Sequence, residues 1–204
     1  MNPEPSSFPQ SAIELTFTGP FAWLETPGVP SVFDRVPLGT QGIYLWAIGL
    51  EDGHLVSYVG ESGRCVHTRL ADHYRDHVAA RYTLNEPRKY ATGEKNEIWP
   101  GHLGKKKRDL GDCVRASIEL APQIAELSRQ VRFFIAQFNG ELRLRRRIEA
   151  AIADSLFAVP GVVGQFQDRG VRYQRRWPEE EPIRVSLNVA GGRIVLGLPS
   201  AIDA

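Results

Sequence analysis

Two tyrosines, Tyr44 and Tyr58, stand in the short motifs GIY and YVG, and Arg69 and His73 follow them in the chain. An arginine is always charged and can hold an anionic oxygen, and a histidine changes its protonation near neutral pH. A phenol has a pKa of about 10, so it can act as a base only when a nearby cation or a hydrogen-bonded acceptor favours its phenolate. These four side chains could therefore bind an anion and move a proton if the fold brings them together. The ordinary alternative is that both tyrosines merely stand at strand ends, where Tyr and Gly are common.

The two tyrosines are predicted to be neighbours on a β-hairpin. The runs GIYLWAIGL and HLVSYVGE are rich in β-forming residues, and Glu51, Asp52 and Gly53 separate them. Asp-Gly favours a tight hairpin turn because glycine tolerates the positive φ that the turn requires. The first motif begins one strand and the second ends the other, so an antiparallel pairing places Tyr44 beside Tyr58.

The segment VHTRLADHYRDHVAA is predicted to form a helix directly after the hairpin, with Thr68 or Ser62 as candidates for its N-cap. Three- and four-residue spacing puts four polar side chains on one face of this helix: Arg69, Asp72, His73 and Asp76. Arg69 could serve there as an anion-binding group or as an ordinary ion-pair partner of the two aspartates. His73 could likewise be a functional group or a packed histidine.

The other elements are predicted from periodicity and from breaker residues. VRFFIAQF predicts a buried strand, and NGELRLRRRIEAAIADSLFAV predicts a helix whose apolar residues recur every four positions and which a Pro-Gly pair ends. A strand over AIELTFTGPFAWL is expected to break at Gly19-Pro20, and DCVRASIELAPQIAELSRQ is expected to be helical with an interruption near Pro122. The run IRVSLNVAGGRIVLGLP is typical of a second hairpin that turns at Gly191-Gly192.

The order of these elements predicts an α+β fold, with a small central mixed β-sheet that carries the tyrosine hairpin and is flanked by helices. Residues 1–40 are expected to be an N-terminal extension with one strand, and residues 41–170 the central domain. Residues 171–204 are expected to be a β-rich extension packed on the same domain. An insertion at residues 82–111 is polar and rich in helix breakers, which is typical of functional or disordered segments.

Composition excludes several classes of protein. The chain has 204 residues, of which 42% are hydrophobic, so it suits one ordinary domain and is too apolar for a disordered chain. No apolar run reaches the roughly 18–20 residues of a membrane span, and the N-terminus lacks the basic start and apolar block of a signal peptide. Because Cys65 and Cys113 are the only cysteines, a disulfide framework is not expected. The predicted setting is a reducing cytoplasm, with no membrane partner.

Positive charge is concentrated locally, although the net charge is only +1. The insertion holds four consecutive cations: Lys105, Lys106, Lys107 and Arg108. Such a patch can bind nucleic-acid phosphates, or it can simply keep a loop solvated.

The ordered set of motifs resembles the GIY-YIG nuclease superfamily over roughly residues 41–170. GIY at residues 42–44 matches the first motif, and YVG at residues 58–60 matches the second with Val in place of Ile. Arg69 takes the position of the helix arginine, and His73 falls where several members carry His or Tyr. Glu149, on a helix just after a predicted strand, stands where the family has its metal-binding glutamate.

The resemblance implies a nuclease centre with five catalytic residues: Tyr44, Tyr58, Arg69, His73 and Glu149. Glu149 would hold Mg²⁺ (or Mn²⁺), a hard cation that takes carboxylate, water and phosphate oxygens as ligands. Arg69 would hold a phosphate oxygen, Tyr44 would be the base, and Tyr58 would position water or phosphate. His73 would relay a proton or donate to phosphate. If the resemblance is accidental, Glu149 is only an ion-pair partner of the arginine four residues before it.

Three departures from the family pattern bear on this centre. The segment between the second tyrosine and Arg69 is one residue longer than the commonest spacing, so Arg64 is a rival for the arginine role and a candidate DNA contact. Glu61 stands where the repair branch has lysine, and its carboxylate would repel a phosphate unless it is paired or turned away. The downstream asparagine of many members is missing, and Gln165 is the expected substitute for it as a DNA contact, ahead of Gln167.

The insertion and the C-terminal extension are expected to select the DNA, because they lie outside the minimal module. The four cations at residues 105–108 are the predicted DNA contacts there. The resulting interpretation is a divalent-metal-dependent DNA endonuclease, restriction-type or stand-alone, that could act as a homodimer. The alternatives are a catalytically decayed GIY-YIG-like DNA-binding module and, if the motifs are coincidental, a small α+β enzyme with another substrate.

Overall fold

The structure, a computed structural model, describes residues 13–102 and 109–204. Eight strands occur in this part of the chain: β1 (Ile13–Phe21), β2 (Gly42–Leu50), β3 (Gly53–Ser62), β4 (Leu84–Asn85), β5 (Glu97–Trp99), β6 (Val131–Gln137), β7 (Arg184–Val189) and β8 (Ala201–Asp203). The same residues contain seven α-helices: α1 (Val32–Arg35), α2 (Val66–Val78), α3 (Pro87–Tyr90), α4 (Leu110–Glu119), α5 (Ala121–Gln130), α6 (Leu142–Ala158) and α7 (Val162–Phe166). Within residues 13–102 and 109–204, no helix is both long enough and apolar enough to cross a bilayer.

Six of the strands form one mixed sheet in the order β3-β2-β6-β1-β7-β8. Neighbouring strands are antiparallel except β1 and β7, which are parallel. β4 and β5 form a separate antiparallel ribbon within the insertion. The α+β fold class predicted from the sequence is therefore confirmed, with β1, β7 and β8 continuing the sheet beyond β6.

The tyrosine hairpin forms as predicted. β2 and β3 pair along their whole length, and the pairing ends at Leu50 and Gly53 on either side of the turn. Tyr44 lies opposite Gly60 on the neighbouring strand. The other side of β2 pairs with β6, so β2 is central and β3 is an edge strand. Backbone groups on the outer side of β3 therefore need partners from outside the sheet.

Side chains alternate between the two faces of the sheet, and each face has its own apolar core. Leu45 and Val59 belong to the core that α6 covers. Of the four helix residues predicted to recur every four positions, Ile148, Ile152 and Leu156 are buried against this core, and Leu144 is partly buried against it. Tyr44 and Leu70 belong to the core on the opposite face, where α2 packs. Each fully buried Leu or Ile contributes roughly 1.5–3 kcal/mol, so both helices are fixed to the sheet mainly by apolar burial.

Two sequence-based expectations about local structure are wrong. β1 continues through Gly19 and Pro20 to Phe21 instead of breaking there. Its pairing with β6 shifts register between Thr18 and Phe21, so the irregularity is absorbed as a bulge within the strand. The expected caps of α2 are also wrong, because Cys65 occupies the N-cap and makes no side-chain capping bond.

The predicted C-terminal hairpin around Gly191 and Gly192 is wrong in its second strand. After β7 the chain makes a short 3-10 turn and crosses to the tyrosine hairpin, where Val195 bridges to His54. The strand that pairs antiparallel with β7 is β8, further along the chain. Both glycines adopt the positive φ of a turn, but a turn does not determine which later segment returns to β7.

The insertion contains ordered elements in its described part. β4, α3 and β5 lie within it, and α4 begins inside it at Leu110. The interruption expected near Pro122 is confirmed, because α4 ends at Glu119 and α5 begins at Ala121. Proline is tolerated in the first turn of a helix, where its missing N–H has no partner to lose.

Candidate active site

Tyr44 and Tyr58 lie side by side on the face of the sheet that α2 covers, with ring centroids 6.0 Å apart. Because Tyr44 is opposite Gly60 and Tyr58 is opposite Trp46, the two tyrosines are diagonal neighbours across the strand pair. Gly60 leaves the space that Tyr44 occupies, since a Cβ at this position would collide with the Tyr44 phenol. Tyr44 is fully buried, whereas Tyr58 keeps part of its surface exposed. The prediction that the two tyrosines are neighbours is confirmed.

Arg69, on α2, places its guanidinium against both phenols. Burial by itself lowers the pKa of Arg69, but the neighbouring Tyr44 and Tyr58 outweigh burial and hold this pKa above its ordinary value. Burial raises the pKa of both tyrosines, and Arg69 opposes that rise. The arginine that accompanies the tyrosines is therefore Arg69, while its rival Arg64 is exposed.

His73 is buried between two phenols. Its Nε2 lies 2.8 Å from Oη of Tyr44, and its Nδ1 lies 2.6 Å from Oη of Tyr82. The Tyr82 hydroxyl in turn donates to Oδ2 of Asp76 over 3.5 Å. Burial, reinforced by the charge of Arg69, lowers the pKa of His73 to about 3. The imidazole is therefore neutral over the whole physiological pH range.

Glu149 reaches the site at the free edge of β3. Its Oε1 accepts a hydrogen bond of 3.1 Å from the backbone N–H of Glu61. Burial and the neighbouring Glu61 carboxylate raise the pKa of Glu149 to about 7. After burial, Glu149 is the next largest influence that raises the pKa of Tyr58. Glu149 is thus electrostatically coupled to Tyr58 and to Arg69, although it belongs to the helix on the other face of the sheet.

Glu61 is paired with arginines of α6. Its Oε2 lies 3.1 Å from Nε of Arg145, and its Oε1 lies 3.8 Å from Nε of Arg146. Alternation along β3 turns its side chain to the α6 face, away from the face that carries Tyr58. A carboxylate can stand beside a phosphate site when cations offset its charge, and this condition is met here. In the described residues, Arg145 forms its ion pair with Glu61 and none with Glu149.

A cavity of about 940 Å³ opens next to this cluster. Tyr58, Arg69 and His73 line one wall, the insertion supplies a second wall that includes Tyr82, and residues 168–172 close a third side. Among the described residues, its basic lining side chains are Arg69, Lys95, Arg169 and Arg172, and its acidic ones are Asp76, Glu97 and Asp168. Tyr44, which is fully buried, and Glu149 are not among the lining residues. The cavity therefore presents a phenol, a guanidinium and a neutral imidazole to a ligand.

Residues after α7 cover the free edge of β3 and so shape the cavity. The N–H of Asp168 donates to the carbonyl of Ser57 over 2.7 Å. The hydroxyl of Tyr173 donates to the carbonyl of Val59 over 3.4 Å. Together with the bond from Glu61 to Glu149, these contacts satisfy alternate outward-facing groups along the strand.

The other predicted DNA contacts do not join the cluster. Arg64 and Gln165 are exposed, and neither lines the cavity. Gln167 is buried and has a structural role, because its amide donates to the carbonyl of Val56 over 2.6 Å and to that of Val163 over 3.2 Å. The four predicted basic contacts lie outside the described residues: Lys105, Lys106, Lys107 and Arg108.

Sequence reasoning missed Tyr82 and Tyr173 and gave Asp76 no role beyond ion pairing. Tyr82 is the first residue of the insertion, whose lack of periodicity does not indicate where its side chains point. Asp76 lies three residues after His73, and this spacing on one helix face was a usable signal. Tyr173 contacts β3 across a large sequence separation, which no local pattern encodes.

The donor set can be compared with the needs of a divalent cation. No group of three or more His, Cys, Asp or Glu side chains able to hold a metal ion occurs in residues 13–102 and 109–204. Mg²⁺, however, is commonly held by one or two carboxylates, with water and phosphate completing its shell. The pKa of Glu149 is raised by burial beside a second carboxylate, and a divalent cation would offset that repulsion. Glu149 is therefore compatible with a single-carboxylate Mg²⁺ or Mn²⁺ site.

In comparisons with known proteins, no family model, curated protein or solved structure matches the chain. The assignment of a function therefore depends on the residues of the site and on their chemistry.

Proposed function

We propose that this protein is a divalent-metal-dependent DNA endonuclease of the GIY-YIG type, which hydrolyses phosphodiester bonds. The observation that carries the proposal is that two strands and two helices bring together five side chains: Tyr44, Tyr58, Arg69, His73 and Glu149. Phosphodiester hydrolysis needs an activated water, neutralisation of the phosphoryl oxygens and help for the leaving oxygen. This set contains a group suited to each need.

Arg69 is the group that we assign to the phosphate. It lines the cavity and carries a permanent charge. Its contact with two phenols holds the guanidinium in place before a substrate arrives. A fixed cation in a partly desolvated site stabilises the charge on a non-bridging oxygen more strongly than water does.

Tyr58 is the phenol that we place against the attacking water, because it lines the cavity and Tyr44 is fully buried behind it. Tyr44 acts on the water only through Tyr58, because its hydroxyl interacts with the hydroxyl of Tyr58 on one side and contacts His73 on the other. This assignment exchanges the roles that the family resemblance implies for the two tyrosines.

Glu149 is the residue that we assign to the Mg²⁺ or Mn²⁺ ion. When bound, the ion would polarise the phosphate and stabilise the developing charge on the leaving oxygen. The N–H of Glu61 orients the carboxylate of Glu149, and Arg145 offsets the charge of Glu61 itself. The protein therefore presents one oriented hard ligand at the edge of β3.

The proposal is tested by cleavage of a DNA panel that contains supercoiled plasmid, branched DNA and single strands, in Mg²⁺ or Mn²⁺. We expect the wild type to nick or cut at least one substrate, and Glu149→Ala and Arg69→Ala to lose on the order of 10²-fold or more in rate. Glu126→Ala removes an exposed glutamate on α5 and should keep the wild-type rate. Equal rates for Glu149→Ala and wild type would exclude Glu149 as the metal ligand.

A DNA-binding module without catalytic activity is the second candidate. The position of Gln165 favours it, because this amide is exposed and does not line the cavity. Asn85 does line the cavity, but it belongs to β4 of the insertion. Among the described residues that follow α6, none with an amide side chain lines the cavity. Tight binding without cleavage of any substrate in the panel, in either metal, would select this candidate.

We further propose a cytoplasmic location and a homodimer for cleavage of duplex DNA. Cys65 and Cys113 are both free thiols, which suits a reducing compartment. One active site cuts one strand at a time, so a concerted double-strand break requires a second copy. In the plasmid assay, linear product that forms without a nicked intermediate would support the dimer. Accumulation of nicked plasmid before any linear product would exclude concerted cleavage by a dimer.

A further inference from the structure

A chain of hydrogen bonds continues from the candidate site into the insertion. His73 contacts Tyr44 through Nε2 at 2.8 Å and Tyr82 through Nδ1 at 2.6 Å. Tyr82 then donates to Oδ2 of Asp76 at 3.5 Å. We propose that Tyr82 and Asp76 complete a proton path that begins at Tyr58, passes through Tyr44 and His73, and ends at the Asp76 carboxylate. This inference rests on the proposed hydrolysis and adds two positioning residues to it.

The direction of every bond in the path follows from its last member. An ionised carboxylate can only accept, so the Tyr82 hydroxyl donates to Asp76. The Tyr82 oxygen then accepts from Nδ1–H of His73, which leaves Nε2 as the bare nitrogen. Nε2 must accept from the Tyr44 hydroxyl. Because that bond uses the single proton of Tyr44, the path requires that the side-chain hydrogen bond between the two neutral tyrosines run from Tyr58 to Tyr44.

Asp76 is suited to be the end of the path. Its Oδ1 is held by Nη1 of Arg81 at 2.6 Å, so Oδ2 is the oxygen available to Tyr82. The Asp76 side chain is 24% exposed and lines the cavity. The carboxylate is therefore fixed in position by one oxygen and can accept a proton on the other.

In this path His73 has to transfer a proton without becoming a stable imidazolium. Its pKa is lowered to about 3 by burial and by the charge of Arg69, so the imidazolium is not a stable resting form. A neutral ring bonded at both nitrogens can take a proton at Nε2 while it releases one from Nδ1. Both bonds to His73 are short enough for such an exchange. The longer contact from Tyr82 to Asp76, 3.5 Å in this structure, has to shorten before the last proton moves.

The proposed step balances atoms and charge. The water oxygen forms a bond to phosphorus, and the bond from phosphorus to the leaving oxygen breaks. The proton of the water moves to the Tyr58 oxygen while each hydrogen-bonded proton of the path moves one place toward Asp76, which becomes neutral. The leaving oxygen takes a proton from solvent water. After product release, reverse passage along the path returns one proton to solvent and restores the starting tautomer of His73.

The tautomer of His73 tests the path independently of any cleavage. Long-range ¹H–¹⁵N NMR spectra of the full chain should show Nδ1 protonated and Nε2 bare. Asp76→Asn should convert this single tautomer into a mixture, because the new amide can donate to Tyr82 and reverse the bond direction. Asp72→Asn removes the exposed ion pair with Arg75 on the same helix and should leave the tautomer unchanged. A wild-type His73 with its proton on Nε2 overturns the path.

Single-turnover cleavage tests whether the reaction uses the path. Tyr82→Phe keeps the ring and removes the hydroxyl, so the cleavage rate should fall about tenfold or more, while DNA affinity measured in Ca²⁺ stays the same. Loss of a direct general base typically costs more, about 10²–10⁴-fold. Tyr74→Phe, next to His73 on α2 and packed on Trp23, is the matched control. Asp76→Glu should recover part of the rate that Asp76→Asn loses, since it restores an acceptor.

The outcomes separate the inference from the proposed function. An active wild type with an unchanged rate in Tyr82→Phe overturns the path and leaves the nuclease assignment intact. A wild type that cleaves no DNA in either metal rejects the nuclease and with it the catalytic use of the path. The NMR result still decides whether the hydrogen bonds have the proposed direction.

Discussion

Glu61 and Glu149 place two carboxylates at the edge of β3 in different electrostatic surroundings. Glu61 contacts two arginines, one of which, Arg145, is buried. Glu149 instead accepts a backbone hydrogen bond, and burial next to Glu61 raises its pKa to about 7. Neighbouring charges thus distinguish two chemically identical groups. The charge of Glu61 is compensated by arginines of the protein, and Glu149 is the carboxylate that we propose as the ligand of the cation.

Glu149 makes folding stability depend on pH. Its pKa rises from 4.5 to about 7 on folding, so between these values the folded protein holds a proton that the unfolded chain has released. This contribution to stability is present in full below about pH 4.5 and is lost as the pH rises through 7. A glutamine does not titrate, so Glu149→Gln should not show this loss. Relative to wild type, its free energy of unfolding should increase by on the order of 1–3 kcal/mol as the pH rises from about 5 to about 8.

Urea unfolding of wild type and Glu149→Gln across this pH range measures the effect. The charged groups that act on Glu149 are Glu61, Arg146 and Arg69, and all of them remain in the variant. Glu126→Gln, the same substitution at an exposed position of α5, is the matched control. A constant difference between Glu149→Gln and wild type at all pH values would contradict the raised pKa.

The tyrosine hairpin and α2 are the elements whose positions could be predicted from the sequence. Their signals are local: an Asp-Gly turn, β-rich runs and three- and four-residue helical spacing. These signals suffice to place Tyr44 beside Tyr58 and to put Arg69 and His73 on one helix face. Glu149 could be named only through the family resemblance, because the backbone N–H that orients its carboxylate comes from β3, far away in the sequence.

Contacts between distant segments could not be predicted from local patterns. The pair of Glu61 and Arg145 spans 84 residues, and nothing in either segment indicates the other. The bond from His73 to Tyr82 joins residues only nine positions apart, but it depends on how the chain turns after α2 ends at Val78. The choice of β8 as the partner of β7 likewise depends on the whole sheet and not on the glycine turn that precedes it. Local sequence patterns therefore place the two phenols and the guanidinium of the site, whereas its carboxylates are placed by tertiary contacts.

Gly60 tests how closely β2 and β3 are packed at the site. Gly60→Ala would drive a methyl group into the Tyr44 phenol, and the phenol cannot move freely because the ring is fully buried and bonded to His73. We expect a loss of roughly 1–3 kcal/mol in the free energy of unfolding, as for other overpacked cores. Urea denaturation measures it. Gly49→Ala on β2 is the matched control, since a Cβ there meets nothing within 4 Å, and equal losses for the two variants would contradict the packing explanation.

At the scale of the whole molecule, a net charge of +1 provides little general attraction to DNA. Affinity for the proposed substrate must therefore come from local cations, in the cavity lining and at residues 105–108. Each phosphate that a cation neutralises releases counterions, so the number of bound phosphates can be read from the salt dependence of binding.

Replacement of the four cations at residues 105–108 by alanine should weaken DNA binding and make it less sensitive to salt. The slope of log K against log salt should become shallower by about 0.9 for each duplex phosphate that the variant no longer binds. Fluorescence anisotropy over a salt series in Ca²⁺ measures this slope without cleavage. Arg115→Ala, which removes an exposed arginine paired with Asp112, should leave the slope unchanged. An unaltered slope in the fourfold variant would show that the insertion does not contact phosphate there.

The position of Tyr82 also sets a limit on protein engineering. The residue opens the insertion, yet its hydroxyl contacts the imidazole of His73. A graft that exchanges residues 82–111 for a loop of different specificity would carry away this hydroxyl together with the loop. A graft that begins at residue 83 would retain it. Any exchange of the insertion that is to keep the contact with His73 therefore has to start at residue 83.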